Sequence, residues 1–292
     1  MKVLTLNTNS LISNDKRFAL HKLLEDSNPN LALLNETRLG EAPNVKLHAP
    51  GYNTFRNDAG RGTAILVKAG LRANSIPSAA LVSNCLLAVV RLPVRSGRVL
   101  RVLIGSLYFP GGTGRHLTPT LDELWEIATS FDAFILGGDL NARHVSWGDS
   151  VNNENGKVLF DWFLSGPFLS ADIINAGVPS FPREFSFLDG FIISSNLSAC
   201  VTSCSSLAAH SDHHALSLSL HLQQFLPSLQ HPHKRRSFNL TNWDEFQRDL
   251  DSVLGPPLDK SRIHSNVELD TYIRKVNSAF ESTIDKHASV KE

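Results

Sequence analysis

The stretch FDAFILGGDLN, residues 131–141, joins an apolar run to a short polar segment. The apolar residues 131–136 predict a buried β-strand, and the two glycines that follow allow the backbone to turn closely around a ligand. Asp139 and Asn141 alternate on a short extended segment, so both can face the same side. A carboxylate can orient a water molecule and an amide can bind a phosphate oxygen. The pair is therefore a candidate for catalysis, and a plain Gly-Gly-Asp turn is the alternative.

Short strand-like runs recur along residues 1–222, and helical stretches lie between them. The alternation of period two is clearest in residues 215–222, where four leucines share one face. Further strands are predicted at residues 3–7, 31–36, 63–68, 85–92, 99–109, 131–136, 171–175, 187–194 and 200–205. Helices are predicted at residues 16–26, 118–129 and 156–165. Many strands with a few helices between them indicate two packed β-sheets flanked by helices.

The composition of the chain changes after residue 222. Residues 223–237 contain two prolines, two histidines and a basic run, which is typical of a linker. Two amphipathic helices are predicted within residues 238–292, the first capped by Thr241 and the second opened by Asn266. We therefore predict a domain at 1–222, a linker at 223–237 and a helical tail at 238–292.

The charges of the chain are balanced, with 28 Lys and Arg residues against 28 Asp and Glu residues among 292. This balance excludes a protein that coats nucleic acid through a general positive charge, but it leaves room for a locally positive cleft. The apolar fraction of 42% is enough for a sizeable core. Three cysteines form no disulfide or zinc pattern, and no stretch approaches the roughly 18 apolar residues of a membrane helix. We therefore expect a soluble, intracellular protein.

A histidine, His213, stands just before the predicted strand 215–222. Histidine can act as a general acid or base, or donate a hydrogen bond to a developing oxyanion. It usually needs a carboxylate that fixes its tautomer, and Asp189 is a candidate because it lies in the apolar run 187–194. A lone aspartate in an apolar strand is costly unless it is paired, which favours this assignment.

Further polar side chains end predicted strands, where they would reach the mouth of a sheet sandwich. The set consists of Asn7, Glu36, Tyr108 and Asp212. Carboxylate and amide oxygens that approach from several directions suit Mg²⁺, which commonly takes only one or two protein carboxylates. Each assignment has an ordinary alternative, because Asn7 and Glu36 can be solvated and Tyr108 can be a packing residue.

Taken in chain order, these motifs resemble the exonuclease–endonuclease–phosphatase superfamily, whose members include deoxyribonuclease I and the apurinic endonucleases. The order runs through Asn7, NET at 35–37, Tyr108, GDLNA at 138–142, LD at 188–189 and SDH at 211–213. Further motifs are most similar to the apurinic-type endonuclease domain of non-LTR retrotransposons: NARH at 141–144, WG at 147–148, NG at 155–156 and VPSF at 178–181. The segment FNLTNW at 238–243 resembles the one that leads toward a reverse transcriptase.

The resemblance implies a fold and a reaction. The implied fold is an α/β four-layer sandwich of two mixed β-sheets flanked by helices, followed here by a small helical tail. The implied reaction is hydrolysis of a DNA phosphodiester that depends on Mg²⁺, with Mn²⁺ as the alternative ion. In such a site, Glu36 would hold the metal with help from Asn7 and Asp212.

The resemblance also implies roles for the remaining polar residues. Asp139 would orient or deprotonate the attacking water, and Asn141 would fix the phosphate. His213, oriented by Asp189, would stabilise or protonate the pentavalent phosphate. Tyr108 would contact a phosphate oxygen or help the leaving group.

Double-stranded DNA is the expected partner of such a site, and the nucleus is the expected place of action. Surface loops at residues 109–117 and 178–186 are predicted to carry the target preference. Arg115, Arg143 and Arg183 are the basic residues nearest to the proposed site, and they could contact DNA phosphates, which position a duplex without reading its sequence. Ordinary solvated arginines are the alternative.

Some features depart from the resemblance. Leu6 stands where an aromatic residue is frequent, and Asn35 stands where glutamine is usual. No Asp-Asp pair occurs in the chain, so we expect a fragment, a truncated copy or a free-standing derivative, with a reverse transcriptase module in a full-length element. Three functions stay open: a DNA-nicking endonuclease of a retrotransposon, another phosphodiesterase or phosphatase of the superfamily, and a non-catalytic remnant that binds DNA or a partner.

Overall fold

The computed structural model describes residues 1–76, 85–93, 99–112, 114–165, 171–222, 235–237, 242–254, 266–287 and 289–291. The chain forms two compact units, which are Met1–Leu164 with Phe168–Leu229, and Ser165–Pro167 with Gln230–Glu292. The boundaries of domain, linker and tail given above stay a prediction. Thr241, the predicted helix cap, lies outside the described residues.

Two six-stranded mixed β-sheets form the first unit. In spatial order, sheet A contains β11 (Val201–Leu207), β12 (Ala215–Leu220), β1 (Lys2–Asn7), β2 (Leu31–Asn35), β4 (Thr63–Lys68) and β3 (Tyr52–Asn57). Sheet B contains β5 (Arg72–Ile76), β6 (Cys85–Pro93), β7 (Val99–Tyr108), β8 (Ala133–Asp139), β10 (Asp189–Ser194) and β9 (Ala171–Ile174). Strands β1 and β2 are parallel, as are β7 and β8.

Helices lie between these strands in the chain. In the first unit they are α1 (Asn14–Ser27), α2 (Gly114–Ala128), α3 (Glu154–Ser165) and the short α4 (Ser195–Ser198). The second unit contains β13 (Arg235–Ser237), α5 (Trp243–Leu254), α6 (Asn266–His287) and β14 (Ser289–Lys291), with β13 antiparallel to β14. Among the described residues, none of the helices has both the length and the apolar character needed to cross a membrane.

Three apolar layers hold the first unit together. The central layer lies between the sheets and contains residues such as Leu33 and Val102. The other face of sheet B packs on α2 and α3 through Leu121 and Leu159, while sheet A packs on α1 through Leu24. Each fully buried leucine side chain contributes roughly 1.5–3 kcal/mol. The order helix, sheet, sheet, helix confirms the predicted α/β four-layer sandwich.

Three elements differ from the sequence patterns. Strands β3 and β5 carry polar, partly exposed residues at sheet edges, so they lack the apolar run that predicts a strand. Helix α2 begins at Gly114 rather than at residue 118, which places Pro119 inside the helix. Gly114 lies close to Glu154, and a Cβ atom on it would stand 3.2 Å from the Glu154 carbonyl oxygen.

The glycine pair at 137–138 lies inside β8 rather than in a turn. A Cβ atom on Gly138 would stand 1.8 Å from the carbonyl oxygen of Leu107 on the neighbouring strand. The absence of a side chain at Gly138 therefore allows β7 and β8 to pair closely. The interpretation of these glycines as a turn around a ligand is wrong, because the strand continues through them to Asp139.

Replacing this glycine is expected to destabilise the fold. Gly138→Ala forces a methyl group against backbone, which costs about 3 kcal/mol. Gly190→Ala is the matched control, because Gly190 lies directly opposite Gly138 and its Cβ would meet nothing nearer than 3.5 Å. Urea unfolding of both variants measures the difference. Equal unfolding midpoints would contradict the close-approach explanation.

Candidate active site

The register of the two sheets brings the predicted strand-end residues to one end of the sandwich. In sheet B, Tyr108, Asp139 and Asp189 are direct neighbours across three strands. In sheet A, Asn7 ends β1 beside Asn35, which ends β2 and is followed by Glu36. Residues far apart in the chain therefore form two facing rows.

The amide of Asn7 connects these two rows. Its Nδ2 donates to Glu36 Oε1 at 3.1 Å and to Asp139 Oδ2 at 2.9 Å, and all three residues are buried. Its Oδ1 accepts from the backbone N–H of Asn9 at 3.0 Å, which fixes the orientation of the amide. Because an amide oxygen has two lone pairs, Oδ1 keeps one acceptor site for another ligand.

A second buried amide, that of Asn35, also joins the sheets. Asn35 Nδ2 donates to Ser106 Oγ at 2.9 Å, and Asn35 Oδ1 accepts from the backbone N–H of Asp139 at 3.2 Å. The Ser106 hydroxyl in turn donates to the carbonyl of Leu34 at 2.9 Å. Asn35 therefore positions Asp139, a role that the sequence analysis missed although it noted the unusual residue.

His213 and Asp189 form the predicted pair. His213 Nδ1 lies 2.7 Å from Asp189 Oδ2, and both side chains are buried. The backbone N–H groups of Leu188 and Asp189 donate to Ser180 Oγ at 3.1 and 2.9 Å, which holds the start of β10, while the Phe181 ring packs against the imidazole. With Nδ1 engaged, Nε2 is the ring nitrogen left for a substrate.

Burial and mutual charge shift the ionisation of this end of the sandwich. Burial and the negative charge of Asp189 raise the pKa of Asp139 to about 7. Burial opposes the charged form of His213, but the charge and hydrogen bond of Asp189 outweigh it and raise the pKa of His213 to about 9. Burial and the charge of Glu36 raise the pKa of Tyr108, so its hydroxyl stays protonated. At neutral pH the site therefore offers one weak base, Asp139, and two proton donors, His213 and Tyr108.

The ionisation of His213 can be measured directly. In metal-free protein, the imidazole NMR signals of His213 are expected to titrate with a pKa near 9, against an ordinary value of 6.5. Because the folded-state pKa is raised, the stabilisation by the imidazolium is complete below pH 6.5 and is lost as the pH rises through 9. Asp189→Asn should lower this pKa, since burial is then opposed by the charges of Asp139 and Asp212 without the hydrogen bond and charge of Asp189. A titration near 6.5 in the unchanged protein would contradict the pairing.

Two arginines, Arg38 and Arg61, lie beside Glu36, and the sequence motifs did not indicate either of them. Arg61 Nη1 lies 2.6 Å from Glu36 Oε2, and Arg38 Nη2 lies 3.4 Å from the same oxygen. Burial alone would raise the pKa of Glu36, but hydrogen bonds from Arg61 and Asn7 lower it below its usual value. The Arg61 guanidinium also lies 5.9 Å from the centre of the Tyr108 ring. Glu36 is therefore ionised and held in place.

Two site residues have a left-handed backbone, which is uncommon outside glycine. Glu36 has φ +48° and Asn141 has φ +45°. The backbone N–H of Asn141 donates to Asp139 Oδ1 at 3.0 Å, and Asn141 Nδ2 donates to the carbonyl of Phe109 at 3.0 Å. Strained conformations of this kind persist where surrounding contacts impose them, and they cluster at functional sites.

The loop before β12 adds Asp212 to the same neighbourhood. Ser211 Oγ donates to the carbonyl oxygen of Asn7 at 2.7 Å and lies 3.2 Å from Asp212 Oδ1. This contact ties the loop to the end of β1. Asp212 is half-buried, and its role as a metal ligand stays a prediction.

The three candidate DNA-contacting arginines differ in their surroundings. Arg143 is engaged by the buried carboxylate of Asp149, at 3.0 and 3.1 Å from its Nε. Arg183 is exposed in the loop 178–186, beside Phe185, whose side chain is also exposed. The side chain of Arg115 lies outside the described residues. Of the three, Arg183 is the one with a described, exposed side chain, and DNA contact stays a prediction for all of them.

The oxygen atoms of the site fit a hard divalent cation. Within the described ranges, no point is surrounded by three His, Cys, Asp or Glu side chains. Mg²⁺ does not need such a group, because it keeps several waters and binds through one or two carboxylates. Glu36 is ionised and adjoins the amide of Asn7. Burial and the negative charge of Asp189 raise the pKa of Asp139, and a cation bound nearby would oppose both effects.

Comparisons with known proteins found similar sequences and structures. The family model for endonuclease-reverse transcriptase matches residues 102–217. The RNA-directed DNA polymerase from mobile element jockey of Drosophila funebris is 26% identical over 168 residues. The match covers 56% of this chain and only 17% of that protein, so the chain spans a small part of this relative.

Solved structures show the same fold. The endonuclease domain of TRAS1, a telomere-specific non-LTR retrotransposon, is 20% identical with a TM-score of 0.61, over 76% of this chain and 98% of that one. The AP endonuclease LMAP from Leishmania major is 19% identical with a TM-score of 0.57, over 75% and 87%.

The family model covers less than half of this chain, and the solved structures, at 20% identity or less, show the fold. Together, these matches make the chain similar to the endonuclease domains of non-LTR retrotransposons within the exonuclease–endonuclease–phosphatase superfamily. The resemblance drawn from the sequence motifs is thereby confirmed.

Proposed function

We propose that this protein is a Mg²⁺-dependent DNA endonuclease that nicks one strand of a target duplex for retrotransposon insertion. One observation carries the proposal: a single amide, Asn7, joins the ionised Glu36 to the weakly basic Asp139, and Asp139 adjoins Asp189 of the buried His–Asp pair. A carboxylate that can hold a metal, a carboxylate that can act as a base and an imidazolium that can donate a proton thus lie together. Metal-assisted hydrolysis of a phosphodiester uses groups of these three kinds.

The base in this scheme is Asp139. Burial and Asp189 raise the pKa of Asp139 to about 7 in the metal-free protein, which makes this carboxylate a stronger base than an ordinary aspartate. Asp139 takes a proton from the attacking water, whose oxygen forms the new bond to phosphorus while the bond to the leaving oxygen breaks. The contacts of Asn35 and Asn141 with Asp139 hold the carboxylate in position for that transfer.

The proton donors act on the phosphate. Protonated His213 offers Nε2–H to a phosphate oxygen as negative charge accumulates there, while Asp189 holds the ring and balances its charge. The neutral hydroxyl of Tyr108 donates to a phosphate oxygen or to the leaving oxygen. Asn141 Nδ2 donates one hydrogen to the carbonyl of Phe109, and its second hydrogen would donate to a phosphate oxygen and fix the phosphate.

Glu36, Asn7 and Asp212 would hold the cation. When bound, Mg²⁺ would neutralise charge on the phosphate and the leaving oxygen. A reverse transcriptase module, as in the name of the jockey relative, would then use the nicked end in a full-length element. Action in the nucleus follows from a chromosomal target.

A comparison of three substrates tests the proposal. The purified full chain is incubated separately with supercoiled plasmid, RNA and a phosphoinositide, each with Mg²⁺ and with EDTA. We expect nicked plasmid with Mg²⁺ only, and slower hydrolysis of the other two substrates. Faster turnover of RNA or phosphoinositide would favour another phosphodiesterase or phosphatase of the superfamily. Binding of Mg²⁺ without hydrolysis of any substrate would favour a non-catalytic remnant.

A further inference from the structure

Three arginines form a row across sheet B, away from the candidate active site. Arg72 on β5 lies directly opposite Arg91 on β6, which lies directly opposite Arg101 on β7. Neighbouring strands are about 4.8 Å apart, so the row spans roughly 10 Å. Arg101 precedes Tyr108 on the same strand by seven positions, or roughly 23 Å at about 3.3 Å per residue. The row is therefore separate from the site described above.

The three arginines of this row are exposed, and none forms an ion pair with a carboxylate in the part of the chain that the structure describes. The carboxylate of Asp132 accepts a hydrogen bond from the backbone N–H of Arg101, not from its guanidinium, within those residues. Like charges directly opposite each other on neighbouring strands are destabilising. The arrangement costs stability unless an external anion binds.

The surroundings of the row suit a phosphate backbone. Arg72 and Arg91 line a cleft together with Asn53 and Asn74, whose amides can bind phosphate or sugar oxygens. The guanidinium of Arg101 lies over the ring of Phe131 at 5.0 Å, which restricts its motion. Arginine forks match phosphate oxygens, and a restricted fork loses less entropy when it binds.

The charged residues in the segment of the sequence that contains the row are all positive. Residues 59–121 contain eight Lys and Arg residues and no Asp or Glu, although the whole chain is neutral. Two of the eight, Arg95 and Arg98, stand between β6 and β7 and lie outside the described residues. A local excess of this size produces a positive field that attracts polyanions.

We propose that the row of Arg72, Arg91 and Arg101 is a second nucleic-acid surface, which binds the sugar–phosphate backbone without reading sequence. A straight row with a regular spacing fits a linear polyanion. The proposal goes beyond the proposed nicking activity and does not depend on it, because it requires no metal and no residue of the candidate active site.

The test measures DNA binding in EDTA, so that metal-dependent contacts at the candidate active site are absent. Full-length protein carrying Arg72→Gln, Arg91→Gln and Arg101→Gln is compared with a control carrying Lys22→Gln, Lys46→Gln and Lys157→Gln. The control removes the same charge from three exposed lysines elsewhere. Fluorescence anisotropy with a labelled duplex, and with a single strand of the same sequence, gives the affinity at several salt concentrations. Circular dichroism verifies that both variants are folded, and the single variant Arg91→Gln replaces the triple one if it is not.

The triple arginine variant is expected to bind the duplex on the order of tenfold to a hundredfold more weakly than the unchanged protein. The slope of log affinity against log salt should fall by about 2–3, since each lost phosphate contact removes about 0.9. The lysine control should keep most of the duplex affinity and most of the salt dependence of the unchanged protein. Equal losses in the two triple variants, or no loss in either, would overturn the proposal. Plasmid nicking by the unchanged protein is read separately, so failure of the second surface is distinguishable from failure of the proposed function.

Discussion

Asp139→Asn is expected to slow plasmid nicking about 10²- to 10⁴-fold, the range lost when a general base is removed. The substitution keeps the size of the side chain and removes its ability to take a proton. Both carboxylate oxygens accept hydrogen bonds, one from Asn7 and one from the backbone N–H of Asn141, so an amide of the same shape keeps one of these bonds and loses the other. The thermal stability should therefore change modestly, while the rate of strand cleavage shows the large loss.

Asp172→Asn serves as the matched control for this prediction. Asp172 is an exposed aspartate on β9 of the same sheet, so its replacement removes an equal charge far from the proton transfer. The control should nick at the rate of the unchanged protein. If Asp139→Asn also retained that rate, Asp139 could not be the base, whatever the metal does.

The second large effect concerns the His–Asp pair. We expect His213→Gln and Asp189→Asn each to lower the nicking rate about 10²- to 10³-fold, because the loss of a preorganised donor at the phosphate has this size. Asp189 acts by orienting and charging the imidazole, so the double variant should be little slower than either single variant. Effects that multiply in the double variant would show that the two residues act independently.

The neighbouring histidine provides the control for the pair. His214 Nδ1 lies 3.0 Å from Ser206 Oγ, and His214 has no contact with Asp189 in the described part of the chain. The nicking rate of His214→Gln should therefore lie within about twofold of the unchanged rate. This factor corresponds to a change in free energy of less than about 0.5 kcal/mol. A comparable loss in this variant would mean that the loop conformation, rather than the imidazole of His213, limits the rate.

The sequence is enough to predict the sandwich and the residues that meet at its mouth. Buried strands such as β4 and β12 have continuous or alternating apolar patterns, and polar residues such as Asp139 and His213 stand where these strands end or begin. The order of the motifs along the chain then supplies the resemblance. Edge strands β3 and β5 could not be predicted, because they are only partly buried and polar residues interrupt their few apolar ones.

Contacts across the site could not be predicted for a different reason. The hydrogen bond from Asn7 to Asp139 joins residues 132 positions apart, and no local pattern specifies such a pairing. Arg61 lies in the connection between β3 and β4, where an arginine is ordinary until the fold brings it to Glu36. Asn35 was visible as an unusual residue, but its role as a bridge depends on the distance between two sheets.

The most direct measurement is the conversion of supercoiled plasmid to nicked circles by the full chain, with the unchanged protein and Asp139→Asn assayed side by side. With Mg²⁺, the unchanged protein should accumulate nicked circles and Asp139→Asn should leave the plasmid supercoiled. EDTA should abolish nicking by the unchanged protein. Nicking that persists in EDTA, or that Asp139→Asn performs at the unchanged rate, would contradict the account.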